Sequence, residues 1–186
     1  LLRAYGEAAL QSGDLLGAQT ALKIVVERLP EEPGGHLALA QLYLQSGQWD
    51  ALLAASEQGI QLDRRNPQAR LMLGEALLQI KGDATKAVQL LGALAEDPEC
   101  PPELLLRAQT GAALAALKSE RASEAQRHAQ AALATEPGHA PAVLALAYAQ
   151  QAQGDGTTAL NTLAQAKPER LPKERRAWFR LHAGLL

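Results

Sequence analysis

The run HLALAQLYLQSGQWDAL, residues 36–52, decides the fold because it is a copy. LLRAYGEAALQSGDLLGA at 1–18 places at 11–13 the same Gln-Ser-Gly that the quoted run places at 45–47, so the numbering advances by 34 between them. LMLGEALLQIKGDATKA at 71–87 continues the pattern, with Gly74 standing as far beyond Ala40 as Ala40 stands beyond Gly6. Further on, AALAALKSERASEA (112–125) aligns with LAYAQQAQGDGTTA (146–159) at the same step, so five copies are visible. Self-similarity at such a period signals a stacked-repeat architecture, in which each unit is too small to bury its own apolar face.

Within a copy, leucines fall three and four residues apart, which puts them on one helix face. A small residue recurs at the eighth repeat position, as Gly6, Ala40, Gly74, Ala113 and Ala147. Another recurs at the twentieth, as Ala18, Ala87, Ala125 and Ala159, with Leu52 in the second copy. Small residues at both places let the two helices of a hairpin approach closely. Between them stands a glycine, Gly13, Gly47, Gly82 or Gly154, that supplies the left-handed residue ending the first helix. The fourth copy has Lys118-Ser119-Glu120-Arg121 there instead. Pro30 and Pro137 close their copies; the second has Arg64 at that place, followed by Asn66-Pro67.

These residues resemble the tetratricopeptide repeat, a helix–turn–helix unit of about 34 residues. The resemblance implies an all-α fold, a right-handed α-solenoid of antiparallel helical hairpins with a concave groove. The copies run approximately 1–32, 33–66, 67–101, 102–139 and 140–171, within a single solenoid. Residues 172–186 are read as one more helix, which begins a sixth copy or caps the array, and the whole as a piece of a longer protein. Trp178 and Phe179 are its packing residues. The stretch E96-D-P-E-C-P-P-E103 is read as an elongated loop between copies three and four, across which the array continues.

Composition bounds the function. Hydrophobic residues make up 47% of the 186-residue chain and aromatics only 3%, so the apolar mass is mostly leucine and alanine, which favours helix. The formal charge of −2 gives no general attraction to nucleic acid, although residues 167–182 carry a net +4 and leave −6 for the remainder. That segment is read as a helix with its arginines in water; nucleic-acid contact through it is the lesser alternative. No window of 18 uninterrupted apolar residues predicts a membrane span, and nothing in the sequence fixes a compartment. Cys100, the one cysteine, has no basic sequence neighbour to activate it.

No catalytic, cofactor or metal motif emerges. His36, His128, His139 and His182 lie far apart and are read as exposed helical residues, and no phosphate-binding, nucleophile-elbow or zinc spacing occurs. The chain is therefore read as a non-enzyme without cofactors. Its expected role is a protein–protein interaction scaffold for a peptide or partner domain, in a bacterial envelope, secretion or exopolysaccharide-export assembly. A structural spacer or self-association module is the alternative.

The resemblance also implies where a partner would lie: on first-helix residues of the concave face. Carried onto this chain, those positions are Glu7 and Gln11 in copy one; Leu37, Gln41, Leu44 and Gln45 in copy two; and Leu71, Glu75, Leu78 and Gln79 in copy three. They continue as Thr110 and Leu114 in copy four, and as Leu144 and Tyr148 in copy five. Leucine, glutamine and glutamate occupy most of the places where chaperone-binding members carry a carboxylate clamp, which argues against chaperone tails. Apolar positions flanked by amides suit a peptide that buries side chains and offers its backbone. Trp49 is read as a packing residue of the second helix.

Overall fold

A computed structural model describes residues 1–80, 84–166 and 184, and every helix among them is α-helical, with no strand. The chain divides into two compact units, Leu1–Lys81 and Gly82–Leu186.

The first unit holds α1 (Leu2–Ser12), α2 (Leu15–Arg28), α3 (Pro33–Ser46), α4 (Trp49–Leu62) and α5 (Pro67–Gln79). Two-residue turns join α1 to α2 and α3 to α4, so each pair folds back on itself as a hairpin. Neighbouring helices pack in chain order, and α3 also touches α1 and α5. The first helices of successive copies thus lie side by side. The core between the layers is built from Leu22, Leu42, Leu52 and Met72, none more than 1% exposed, with alanines at the closest approaches.

The second unit holds α6 (Ala84–Ala95), α7 (Pro102–Lys118), α8 (Ala122–Thr135), α9 (Ala140–Ala152) and α10 (Gly156–Leu163). It repeats the scheme: α6 packs on α7, α7 on α8, α8 on α9 and α9 on α10, while α7 also lies against α9. From α7 onward, among the described residues, its buried hydrophobic side chains are alanines, save Val143, Leu144 and Leu146.

The small residues are where the period places them. All five residues of the eighth position and all five of the twentieth are buried. A Cβ at Gly6 would lie 2.7 Å from Leu22 Cδ2, closer than two carbons approach, so α1 and α2 meet only because the side chain is missing.

Helix ends follow local chemistry. Asp14, Asn66 and Asp155 cap α2, α5 and α10, accepting the amides of Gly17 (2.9 Å), Ala69 (3.0 Å) and Thr158 (3.0 Å). Pro33, Pro67 and Pro102 stand at first helical positions, where no backbone donor is required. Gly13, Gly47 and Gly154 end α1, α3 and α9 at φ of 83°, 68° and 90°.

The fourth copy, which lacks the glycine, makes the same turn. Glu120 adopts φ 58°, and the Arg121 amide reaches back to the Ala116 carbonyl at 2.9 Å, as the Asp14 amide reaches the Ala9 carbonyl at 2.9 Å. The conformation belongs to the hairpin and not to the glycine.

The stretch 96–103 differs from the expected elongated loop. Its connection, residues 96–101, is two residues longer than the four-residue connections 29–32, 63–66 and 136–139. Most of the insertion is instead helix. Pro102 lies eleven residues before Ala113, whereas Pro33 lies seven before Ala40, so α7 gains about one turn at its start. Pro102 explains the outcome, because proline opens a helix readily and Leu104, Leu105 and Leu106 give the added turn an apolar face that is half-buried. Since α6 packs directly on α7, the stack continues across this connection. The expected helix over 172–186, apart from residue 184, with its Trp178 and Phe179, and the basic run 167–182 lie outside the described residues.

Candidate interaction surfaces

The first helices of the copies carry the expected partner-binding positions, and each unit presents its own set. In the first unit, Glu7, Gln11, Gln45 and Gln79 are exposed, and Leu37, Gln41, Leu44 and Glu75 are half-buried. Leu71 is fully buried and Leu78 is 7% exposed, so neither side chain forms open surface. In the second unit Leu114 and Tyr148 are half-buried, whereas Thr110 and Leu144 are buried. Four of the expected positions are therefore core. The physical reason is that first helices also pack on one another, and their heptad-like spacing cannot by itself distinguish a seam residue from a groove residue.

What remains in the first unit is an amide series. Gln11, Gln45 and Gln79 stand at the last turns of α1, α3 and α5, each exposed and each one repeat period from the next. Their helices are neighbours, so the amides form a row along one edge of the layer. Acidic residues flank the row: Glu7 one turn before Gln11 and Glu75 one turn before Gln79. Glu7 is engaged by Arg3 at 3.4 Å, and Arg3 also pairs with Glu32, so this end of the surface carries little net charge.

In the second unit, Leu117, Lys118, Tyr148, Gln151 and Ala152 line an open depression of about 420 Å³. Its floor is apolar. Tyr148 packs, as Leu163 and Ala166 do, against buried Ala140 and Leu144, and burial raises its hydroxyl pKa. Lys118 occupies the place held by glutamine in the first three copies, and extending that repeat position to copy four would have found it.

Trp49 is 37% exposed and its ring lies beside Gly47, with Cζ2 3.9 Å from where a Cβ would stand. It lines a depression with Gln48, Asp50, Gln79 and Ile80. Packing thus accounts for most, but not all, of the ring.

The histidines are not the uniformly exposed residues the sequence suggests. His36 is buried, and its Nε2 lies 2.8 Å from the Pro30 carbonyl, closing the connection between copies. His128 is 2% exposed. His139 is half-buried beside Glu136 at 3.6 Å; desolvation lowers its pKa, against the pull of that carboxylate. His182 lies outside the described residues. Among the described residues no cluster of histidine, cysteine and carboxylates could hold a metal ion, and no helix is long and apolar enough to cross a membrane.

Comparison with known proteins agrees with this architecture. One tetratricopeptide repeat family model matches residues 4–55 and again 37–101, and a second matches 116–185. A crystal structure of a MamA protein superposes with a TM-score of 0.76 at 20% identity, covering 88% of this chain and 87% of that one. The MamA fragment 41-end from Desulfovibrio magneticus RS-1 gives 0.74 at 18% identity, covering 88% of this chain and 89% of that one. At such identities the likeness is one of fold. No curated protein matches the sequence.

Proposed function

Since the chain belongs to the tetratricopeptide repeat family, we propose that it is a non-enzymatic interaction scaffold that binds an extended peptide segment of a partner protein along first-helix surfaces. The observation that carries this reading is the row of exposed amides Gln11, Gln45 and Gln79 on neighbouring helices. A carboxamide donates and accepts at once, so a row of them can satisfy successive backbone groups of an extended chain whatever its side chains. The half-buried Leu44, next to Gln45 on α3, gives an apolar side chain of the peptide a place to bury. In the second unit the Leu117–Tyr148 depression supports a separate apolar anchor.

The test uses a displayed random-peptide library selected on the chain. Peptides enriched on the native chain should lose at least tenfold in affinity for the Gln11→Ala, Gln45→Ala, Gln79→Ala variant. Because all three side chains are exposed, that variant should keep its helicity and melting temperature. Equal binding by both chains would overturn the reading.

A second reading, self-association, is favoured by the exposed apolar side chains Leu2, Tyr5, Leu16 and Leu29 on α1, α2 and the connection after α2. A light-scattering mass that stays monomeric over a hundredfold concentration range would remove it. The bacterial envelope or export setting rests on the alanine-, glutamine- and leucine-rich character of the copies alone, and co-fractionation of the native protein with envelope components tests it.

A further inference from the structure

Where α6 ends, its last residues meet a cluster on α8 that the interaction surfaces do not use. His128, on α8, is 2% exposed and lies against α6, its Nε2 3.4 Å from where a Cβ of Gly92 would stand. Arg127 Nη2 is 3.1 Å from the same Nε2. A guanidinium can only donate, so Nε2 must be the unprotonated nitrogen of a neutral imidazole. Arg127 Nη1 in turn pairs with Glu96, the first residue after α6. One guanidinium therefore joins the end of α6 to the middle of α8, and the imidazole lone pair fixes its orientation.

We propose that Glu96, Arg127 and His128 form an acid-sensitive latch between α6 and α8. Neutral His128 holds Arg127 against Glu96. When Nε2 takes a proton the acceptor is lost, a donor faces a donor, and the buried imidazolium stands beside the exposed guanidinium of Arg127. The latch then opens, and the α6–α8 contact around Gly92 loosens.

The charges facing His128 favour this outcome. From its own helix come Arg127 and, one turn back, Glu124; from the end of α6 comes Glu96. Lys86 on α6, and Glu103, Arg107 and Lys118 on α7, are all exposed, and α9 carries no acidic residue, basic residue or histidine. Burial and then Arg127 lower the His128 pKa, outweighing Glu124 and Glu96, which raise it. A histidine whose folded pKa is depressed binds fewer protons folded than unfolded, so its stabilising effect is complete above the unfolded value of about 6.5 and is lost as pH falls below it.

Hydrogen exchange of the whole chain, corrected for the intrinsic pH dependence of exchange, tests the latch between pH 7.5 and 5.5. Protection of α6 and α8 amides should fall below pH 6.5, approaching tenfold per pH unit, the limit for one proton. His128→Gln, which keeps an acceptor but cannot become charged, should abolish that slope. His139→Gln should leave it intact. Persistence of the slope in His128→Gln, or an NMR titration in which His128 protonates at or above the ordinary histidine value, would overturn the proposal. Should His128→Gln not fold, Arg127→Gln removes the second cation; it should raise the His128 titration midpoint and shrink the slope, and an unchanged midpoint and slope would equally overturn it.

Discussion

Glu120 shows what a single residue carries when the repeat demands a conformation and the sequence withholds the residue suited to it. A left-handed φ costs a non-glycine residue about 1–2 kcal/mol, part of which glycine would lose again through its greater freedom in the unfolded chain. Glu120→Gly should therefore stabilise the protein by about 0.5–1 kcal/mol, read as a raised urea midpoint with an unchanged slope. Gly6 presents the opposite case. With Leu22 Cδ2 only 2.7 Å from its missing Cβ, Gly6→Val should overpack the α1–α2 seam and cost about 1–3 kcal/mol, measured in the same way. Both sites were half legible in the sequence. The spacing locates each position, but it cannot say that position 120 keeps the turn without glycine, because conformation there is imposed by the hairpin and not by local preference. The histidines mark a firmer limit. Nothing in the sequence around His128 signals burial, since the glycine that makes room for it, Gly92, belongs to another helix and another copy.

At the scale of the helix, caps and connections do most of the specifying. Asn66 accepts the Ala69 amide and precedes Pro67, so it both starts α5 and turns the chain out of α4. Asn66→Ala should cost about 1 kcal/mol and increase exchange in the first turn of α5 before it affects α1. The added turn of α7 was not legible: counting the period reveals surplus residues, but whether they lengthen a loop or a helix depends on Pro102 and on the packing of Leu104–Leu106, and the count contains neither. Replacing Leu105 by Asp should fray that turn and leave the α7–α8 hairpin helical, visible as exchange confined to residues 102–106. The seam between first helices was likewise hidden. Leu37 and Leu71 hold the same repeat position, yet one is half-buried and the other fully buried, because their neighbours and not their register decide.

For the molecule as a whole, the fold was legible and the surface was not. A recurring repeat period with small residues at two fixed places specifies hairpins that stack, and both units are built that way. The surface is whatever stacking leaves over, and so it emerges only once the stack exists. The two units also reach their cores by different means. The first interleaves leucine with alanine, whereas the second, from α7 onward, has mostly alanine among its described buried hydrophobic residues. A buried alanine gives up no rotamer freedom on folding and removes little hydrocarbon from water. Melting such a layer exposes less apolar surface per residue, and the heat capacity rises less for it. Calorimetry should then find an increment below the usual ~12–15 cal/mol/K per residue, and a stability that changes more gently with temperature than that of a leucine-filled stack.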